Sequence, residues 1–285
     1  MSLRITPETL ALIDRALAED VGAGDVTTES LVPEGLSAKA LLIAKEAGVL
    51  AGIGVALAVF SRVDPELEVT ALLKDGARLG GGEGDVVAEI EGRAASILTA
   101  ERTALNFAQR LSGVATETSR YVEAVEGLDV RILDTRKTTP GLRLLEKYAV
   151  RIGGGHNHRR GLDDGVLIKD NHIHALGGLG VGLGAVVERA RAAVAHTLRI
   201  EIEVEDLGQV GEALSAGADA ILLDNMTLED MAAAVELARG KAILEASGGI
   251  TLDNVREVAA TGVDLISVGA LTHSVRSLDL GLDMV

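Results

Sequence analysis

The stretch IEIEVEDLGQVGEALSAGADAILLDN, residues 200–225, decides the fold class. Ile200–Val204 and Ala220–Leu223 are apolar runs of strand length, and Leu207–Ala216 between them carries apolar residues at helical spacing. Strand, helix and strand in so short a span form the unit of a parallel sheet covered by helices. The pattern recurs outward from it. Val130–Leu133, Val166–Ile168, Ala242–Leu244 and Leu265–Val268 read as further strands, and Val186–His196, Leu228–Ala238 and Leu252–Thr261 as helices. The second half is therefore α/β, its sheet open or closed into a barrel.

The first half reads differently. Thr6-Pro7-Glu8 is a helix start, with Leu10, Ile13 and Leu17 on one face. An acidic, glycine-containing loop follows over Glu19–Thr28, then short apolar runs at Ala38–Ala44, Leu67–Leu72 and Val86–Ile90, with a turn at Gly80–Asp85. A long helical pattern runs from about Ala94 to Val125 through Ile97, Ala100, Ala104, Phe107, Ala108 and Leu111. Gly113 is a point for it to kink or break, and sets the expected boundary between a domain at 1–113 and one at 114–285.

Polar residues or glycines close the successive strands of the second half: Asp134, Lys169, Glu203, Asp224, Ser247 and Gly269. Barrel enzymes build their sites at those ends. The last two such loops, Glu245–Ile250 and Ser267–Ser274, are rich in glycine, and each leads toward a helix. That is the usual phosphate position of barrel enzymes. Glu203 and Asp224, on neighbouring strands, suit ribose hydroxyls or a hard cation such as Mg²⁺. Glu201, Glu203 and Glu205 share one strand face, so spacing alone leaves open which of them enters the site.

Composition narrows the chemistry. The chain has 285 residues, a formal net charge of −16 and 1% aromatic residues, so a nucleic-acid partner is not expected. No apolar run is long enough to span a membrane, and MSLRITPETLALIDRAL lacks a signal-peptide layout, which fits a cytoplasmic location. The absence of cysteine excludes disulfides, thiolate metal sites and a cysteine nucleophile. Against this acidic background, residues 131–160 hold eight Lys or Arg and only two acids, reading as a focused pocket for a small multi-anion. His156 and His158 lie two apart without an evident partner triad, so zinc is not expected. GGLGVGLG at Gly177–Gly184 reads as a linker and not as a dinucleotide fingerprint.

The segments DTRKTTPGLR (134–143), GGGHNHR (153–159), IKDNH (168–172), LLDN (222–225), EASGGI (245–250) and SVGALTHS (267–274) together resemble the quinolinate phosphoribosyltransferase family. EDVGAGDVTT (19–28) and ERTALN (101–106) resemble its N-terminal domain, and the likeness covers nearly the whole chain in order. The resemblance implies an N-terminal α/β sandwich joined to an open, TIM-like α/β barrel, the type II phosphoribosyltransferase fold. It also implies transfer of phosphoribosyl from 5-phosphoribosyl 1-diphosphate to quinolinate, with loss of CO₂.

In that reading Arg136, His158 and Arg159 recognise the diacid, and Arg102 comes from the neighbouring subunit of a homodimer or dimer-based hexamer. Lys137 and Lys169 face the diphosphate and the reacting ring. Arg143 and Lys147 match basic positions that reach across the interface. Glu203 and Asp224 hold the ribose hydroxyls and Mg²⁺, directly or mainly through the substrate. Ser247, Gly248, Gly249, Gly269 and His273 receive the 5′-phosphate. A related pyridine or nucleobase transferase, a sugar-phosphate sensor and a barrel aldolase using Lys169 as a Schiff base are the competing readings.

Overall fold

The computed structural model describes residues 3–81, 85–177 and 181–285. They form two compact units. One comprises Met1–Ser119, Thr139–Gly154 and Ser274–Val285; the other comprises Arg120–Thr138 and Gly155–His273. Both are discontinuous in sequence, and Gly113 falls within the first. The turn expected at Gly80–Asp85 and the linker expected at Gly177–Gly184 fall partly outside the described residues.

In the first unit, Thr6 caps α1 (Pro7–Val21), its hydroxyl accepting from the Thr9 N–H at 3.3 Å. Of the expected apolar face only Ile13 is buried, and Leu10 is exposed. The loop expected at Glu19–Thr28 is instead the end of α1, a short turn and the start of α2 (Val26–Leu31). Asp25 is the reason: its carboxylate accepts from the Thr28 N–H at 3.0 Å and the Thr28 hydroxyl at 2.6 Å, which caps a new helix.

Next come β1 (Ser37–Ala44), β2 (Ala47–Val49), α3 (Ile53–Val63), β3 (Glu68–Ala71), β4 (Arg78–Gly80) and β5 (Val86–Arg93). With the C-terminal strand Leu280–Met284 they make an antiparallel sheet in the order C-terminal strand, β1, β5, β3, while β2 pairs with β4. Helix α4 (Ala94–Ala124) belongs to this unit as far as Ser119, with Ile97, Ala100, Ala104, Ala108 and Leu111 buried. It does not break at Gly113. The glycine serves close approach, because a Cβ there would collide with the Arg276 carbonyl oxygen. Helix α5 (Arg143–Ile152) completes the unit and buries Glu146, which accepts from Arg110 Nη2 at 2.7 Å and the Thr139 N–H at 3.0 Å.

The second unit alternates β6 (Arg131–Leu133), β7 (Val166–Ile168), α6 (Asp170–Gly177), α7 (Leu183–Ala193), β8 (Ile200–Val204), α8 (Leu207–Ser215), β9 (Ala220–Asp224), α9 (Leu228–Ala238), β10 (Ile243–Ser247), α10 (Val255–Ala260), β11 (Leu265–Ser267) and α11 (Ala270–His273). Its six strands are all parallel, in the order β7, β8, β9, β10, β11, β6. Pairing the first strand with the last wraps the sheet as in a barrel. His156 adds a parallel bridge to Leu133 beyond β6. Among the described residues no ladder joins that segment to β7, so the barrel is open there. In β8, Ile200, Ile202 and Val204 are buried and alternate with half-buried Glu201 and Glu203, so the acids take the opposite face.

Candidate active site

Four of the six strand-end positions read from the sequence, Lys169, Glu203, Asp224 and Ser247, line one cavity of about 650 Å³ at the C-terminal ends of the second unit's sheet, while Asp134 and Gly269 stand behind its wall. Its wall has three arcs. A basic arc follows β6 and β7 and carries Arg136, Lys137, Arg159 and Lys169. An acidic arc, Glu203 and Asp224, ends β8 and β9. A glycine-rich arc follows β10 and β11, with Ser247, Gly248 and Gly249 in the wall and Gly269 beside Lys137. Because β11 pairs with β6, the first and last arcs adjoin.

The basic arc is held by a buried acid that does not itself line the cavity. Asp134, fully buried at the end of β6, accepts from Asn157 Nδ2 at 2.6 Å and the His158 N–H at 2.8 Å. This ties the segment of Arg136 and Lys137 to that of His158 and Arg159. Lys137 is also fixed through its backbone: its N–H donates to the Thr135 hydroxyl, and its carbonyl accepts from Thr272 Oγ1 at 2.8 Å. Arg159 donates from Nη1 to the Gly165 carbonyl at 3.1 Å. The Nε atoms of Arg136 and Arg159 are buried with no hydrogen-bond partner. Burial works against the charge on Arg159, neighbouring Arg136 adds repulsion, and Glu201 offsets part of both. Two crowded cations with unfilled donors are matched to an anion.

Lys169 forms an ion pair with Glu203, which joins the basic and acidic arcs. Asp224 accepts from Asn225 Nδ2 at 3.0 Å. Asn225 was not among the residues singled out from the sequence. Its φ is +54°, a left-handed conformation that Asn tolerates, and its N–H donates to the Ser247 carbonyl at 2.9 Å. An Asn directly after a strand-end acid is the signal that marks it. Gly248, at φ +88°, packs against it, since a Cβ on Gly248 would overlap Asn225 Oδ1.

The glycine arc differs from its expected form in one respect. Seven residues separate Ser247 from α10, which has six residues, and α11 has four. Helix dipoles of such length add little, so what this arc has to offer an anion is the backbone N–H groups around Gly248, Gly249 and Gly269. His273 lies next to Gly269 and Lys137: a Cβ on Gly269 would stand 3.0 Å from His273 Nε2 and 3.1 Å from Lys137 Cδ.

The basic run 131–160 is divided between several places. Only Arg136, Lys137 and Arg159 of its eight cations line this cavity. Arg131 borders a lower one, and Arg143, Lys147 and Arg151 lie on α5 in the first unit. Lys147 is 3% exposed in the single chain, which does not suit a side chain reaching outward. Arg143 is half-buried, and Arg102 is exposed on α4.

Glu203 faces the cavity just described, and Glu201 sits deeper on the same strand face. There His158 Nε2 lies 3.1 Å from Glu201 and 3.6 Å from Glu245. The sequence shows no such triad because its members come from three separated segments.

A parallel barrel unit whose strand ends bring together a glycine-rich arc, an acidic pair and a basic arc has the layout expected of a phosphoribosyltransferase of the barrel type. Comparison makes this specific. The profile of the C-terminal domain of quinolinate phosphoribosyl transferase matches residues 114–283, and that of its N-terminal domain matches residues 25–112. The chain belongs to the quinolinate phosphoribosyltransferase family. It is 46% identical to a nicotinate-nucleotide pyrophosphorylase (carboxylating) of Mycobacterium leprae over 95% of each chain. It is 42% identical to a quinolinate phosphoribosyltransferase (decarboxylating) of Nicotiana tabacum over 97% of this chain and 82% of that one. The crystal structure of NadC from Streptococcus pyogenes superposes with a TM-score of 0.92 at 44% identity, covering all of both chains. Among the described residues no helix is long and apolar enough to cross a membrane.

Proposed function

We propose that this chain transfers phosphoribosyl from 5-phosphoribosyl 1-diphosphate to quinolinate, giving nicotinate mononucleotide, CO₂ and diphosphate in de novo NAD synthesis. The observation that carries the reading is the pair Arg136 and Arg159, whose buried, unpartnered Nε atoms share one cavity with the acidic pair and the glycine cradle. A diacid suits those guanidinium groups, ribose hydroxyls suit Glu203 and Asp224, and a 5′-phosphate suits the backbone N–H groups of the glycine arc.

Lys137 and Lys169 neutralise the diphosphate as the C1–oxygen bond of the sugar breaks, and Glu203 and Asp224 hold the ribose while positive charge develops on it. The pyridine nitrogen bonds to C1 and becomes cationic. The 2-carboxylate then leaves as CO₂, its bonding pair remains on the ring carbon, and a proton from solvent completes that carbon. The residues position and neutralise; none needs to act as a nucleophile. Glu203 and Asp224 also fit a hard dication such as Mg²⁺, because two carboxylates from neighbouring strands leave most of the coordination shell to substrate phosphates. That ion would draw charge from the departing diphosphate.

Arg102 belongs to this reading as a residue supplied by a second copy of the chain, in a homodimer or an assembly of dimers. A cytoplasmic location is part of the same reading. The test is product formation from quinolinate and 5-phosphoribosyl 1-diphosphate, with and without Mg²⁺, for wild type, Arg136→Ala and Lys137→Ala. Each variant is expected to lose about 10²–10³ in kcat/KM while remaining folded. Near-normal turnover by either purified variant overturns the assignment.

A further inference from the structure

Below the site, at the N-terminal side of the strands, lies a second cavity of about 340 Å³ within the same unit. His158, Glu201 and Glu245 meet there, with side-chain exposures of 13%, 12% and 1%, and His158 and Glu245 also line the cavity above. One ligand atom from each lies within 4.8 Å of the others, a spacing that would admit a metal ion.

The hydrogen bonding of His158 argues against a metal. Its Nδ1 accepts from the Arg159 N–H at 2.7 Å, so the ring proton sits on Nε2. Nε2 then points a hydrogen toward Glu201 and offers no lone pair to a cation. A neutral histidine leaves two buried carboxylates facing each other at its Nε2, and a proton on one of them relieves that repulsion. Glu245 is the more buried, and its Oε1 has no hydrogen-bond partner. Burial, and next the charge of Glu201, push its carboxyl up to about 8, with His158 acting in the opposite sense.

We propose that Glu245 is a positioning residue: as a neutral acid hydrogen-bonded to Glu201, it holds Glu201 against the Nε2–H of His158, and so fixes the His158–Arg159 turn that aims Arg159 at the diacid. This rests on the function proposed above. The groups facing Glu245 are Glu201 from β8, the Ser267 hydroxyl from β11 and His158 from the segment bridging β6. Arg131, Arg159, Asp164 and Arg199 border the same cavity. As pH rises past about 8 the proton is lost, two anions face each other, and the KM for quinolinate rises. The 5′-phosphate falls to backbone N–H groups around Gly248, Gly249 and Gly269, which loss of the Glu245 proton does not remove, so the KM for 5-phosphoribosyl 1-diphosphate stays level.

The experiment compares wild type with Glu245→Gln and Glu245→Leu in the full chain. Infrared difference spectra near neutral pH are expected to show a protonated-carboxyl stretch in wild type that Glu245→Gln lacks. Glu245→Leu should raise the KM for quinolinate about tenfold or more and leave that for the sugar diphosphate within about twofold, whereas Glu245→Gln, an isostere of the neutral acid, should recover most of that loss and flatten the alkaline rise. Absence of the carboxylic-acid band overturns the proposal whatever the activity, so its failure is distinguishable from failure of the quinolinate assignment. A Glu245→Gln variant as impaired as Glu245→Leu also overturns it, because it would mean that an ionised carboxylate is required.

Discussion

At Gly248 the chain has no room for a side chain. The backbone is left-handed at φ +88°, and Asn225 Oδ1 occupies the place of a Cβ. Gly248→Ala is therefore expected to displace Asn225 and with it Asp224, raising the KM for 5-phosphoribosyl 1-diphosphate by about tenfold or more while the KM for quinolinate changes little. Steady-state kinetics with each substrate varied in turn would read this, and an unchanged KM for the sugar diphosphate would remove Gly248 from the cradle. Strand-end residues such as Lys169, Glu203 and Asp224 are legible in the sequence because a polar residue closing an apolar run is a local signal. Glu245 is not, because its role depends on neighbours brought in from other strands. The same holds for Glu201 and Glu203: the period of two puts both on one face, and only the fold assigns Glu203 to the upper cavity and Glu201 to the lower.

Among the elements, α4 carries the clearest test of packing. Gly113 looks like a helix breaker in sequence, yet the helix passes through it because the chain at Arg276 lies against its bare Cα. Gly113→Ala adds helix propensity but forces backbone apart, and the second effect wins. It should destabilise the protein by about 1–3 kcal/mol in denaturant unfolding, whereas equal or greater stability would show that the contact can relax. The strands of the barrel unit and its helices α7 to α10 are legible because their periods are ordinary, whereas α6 and α11, of eight and four residues, are too short to show one. Helix α3 is not, since a nearly continuous apolar run has no helical period to read. Helix α5 is hidden for the opposite reason: Glu146 and Lys147 are buried on it, so a segment that packs into the first unit presents itself as a charged run.

At the scale of the whole molecule, the proposed function has Arg102, exposed on α4, supplied to the site by a second chain. Arg102→Ala and Lys137→Ala should each be nearly inactive alone. Exchanged in equal amounts they should recover about a quarter of wild-type activity, the share expected when half of the dimers carry one intact site. No recovery after verified subunit exchange would place Arg102 outside a shared site. The chain's acidic balance and the local cluster of cations are both visible in composition, and together they point to a small anionic substrate; the separation of that cluster between α5 and the cavity appears only in the fold. The most direct test of the central claim is to supply quinolinate labelled separately in its 2- and 3-carboxyl groups, together with 5-phosphoribosyl 1-diphosphate. Labelled CO₂ is expected from the 2-carboxyl alone, one per nicotinate mononucleotide formed and dependent on the sugar diphosphate. Nucleotide formation without CO₂, or release from the 3-carboxyl, would contradict it.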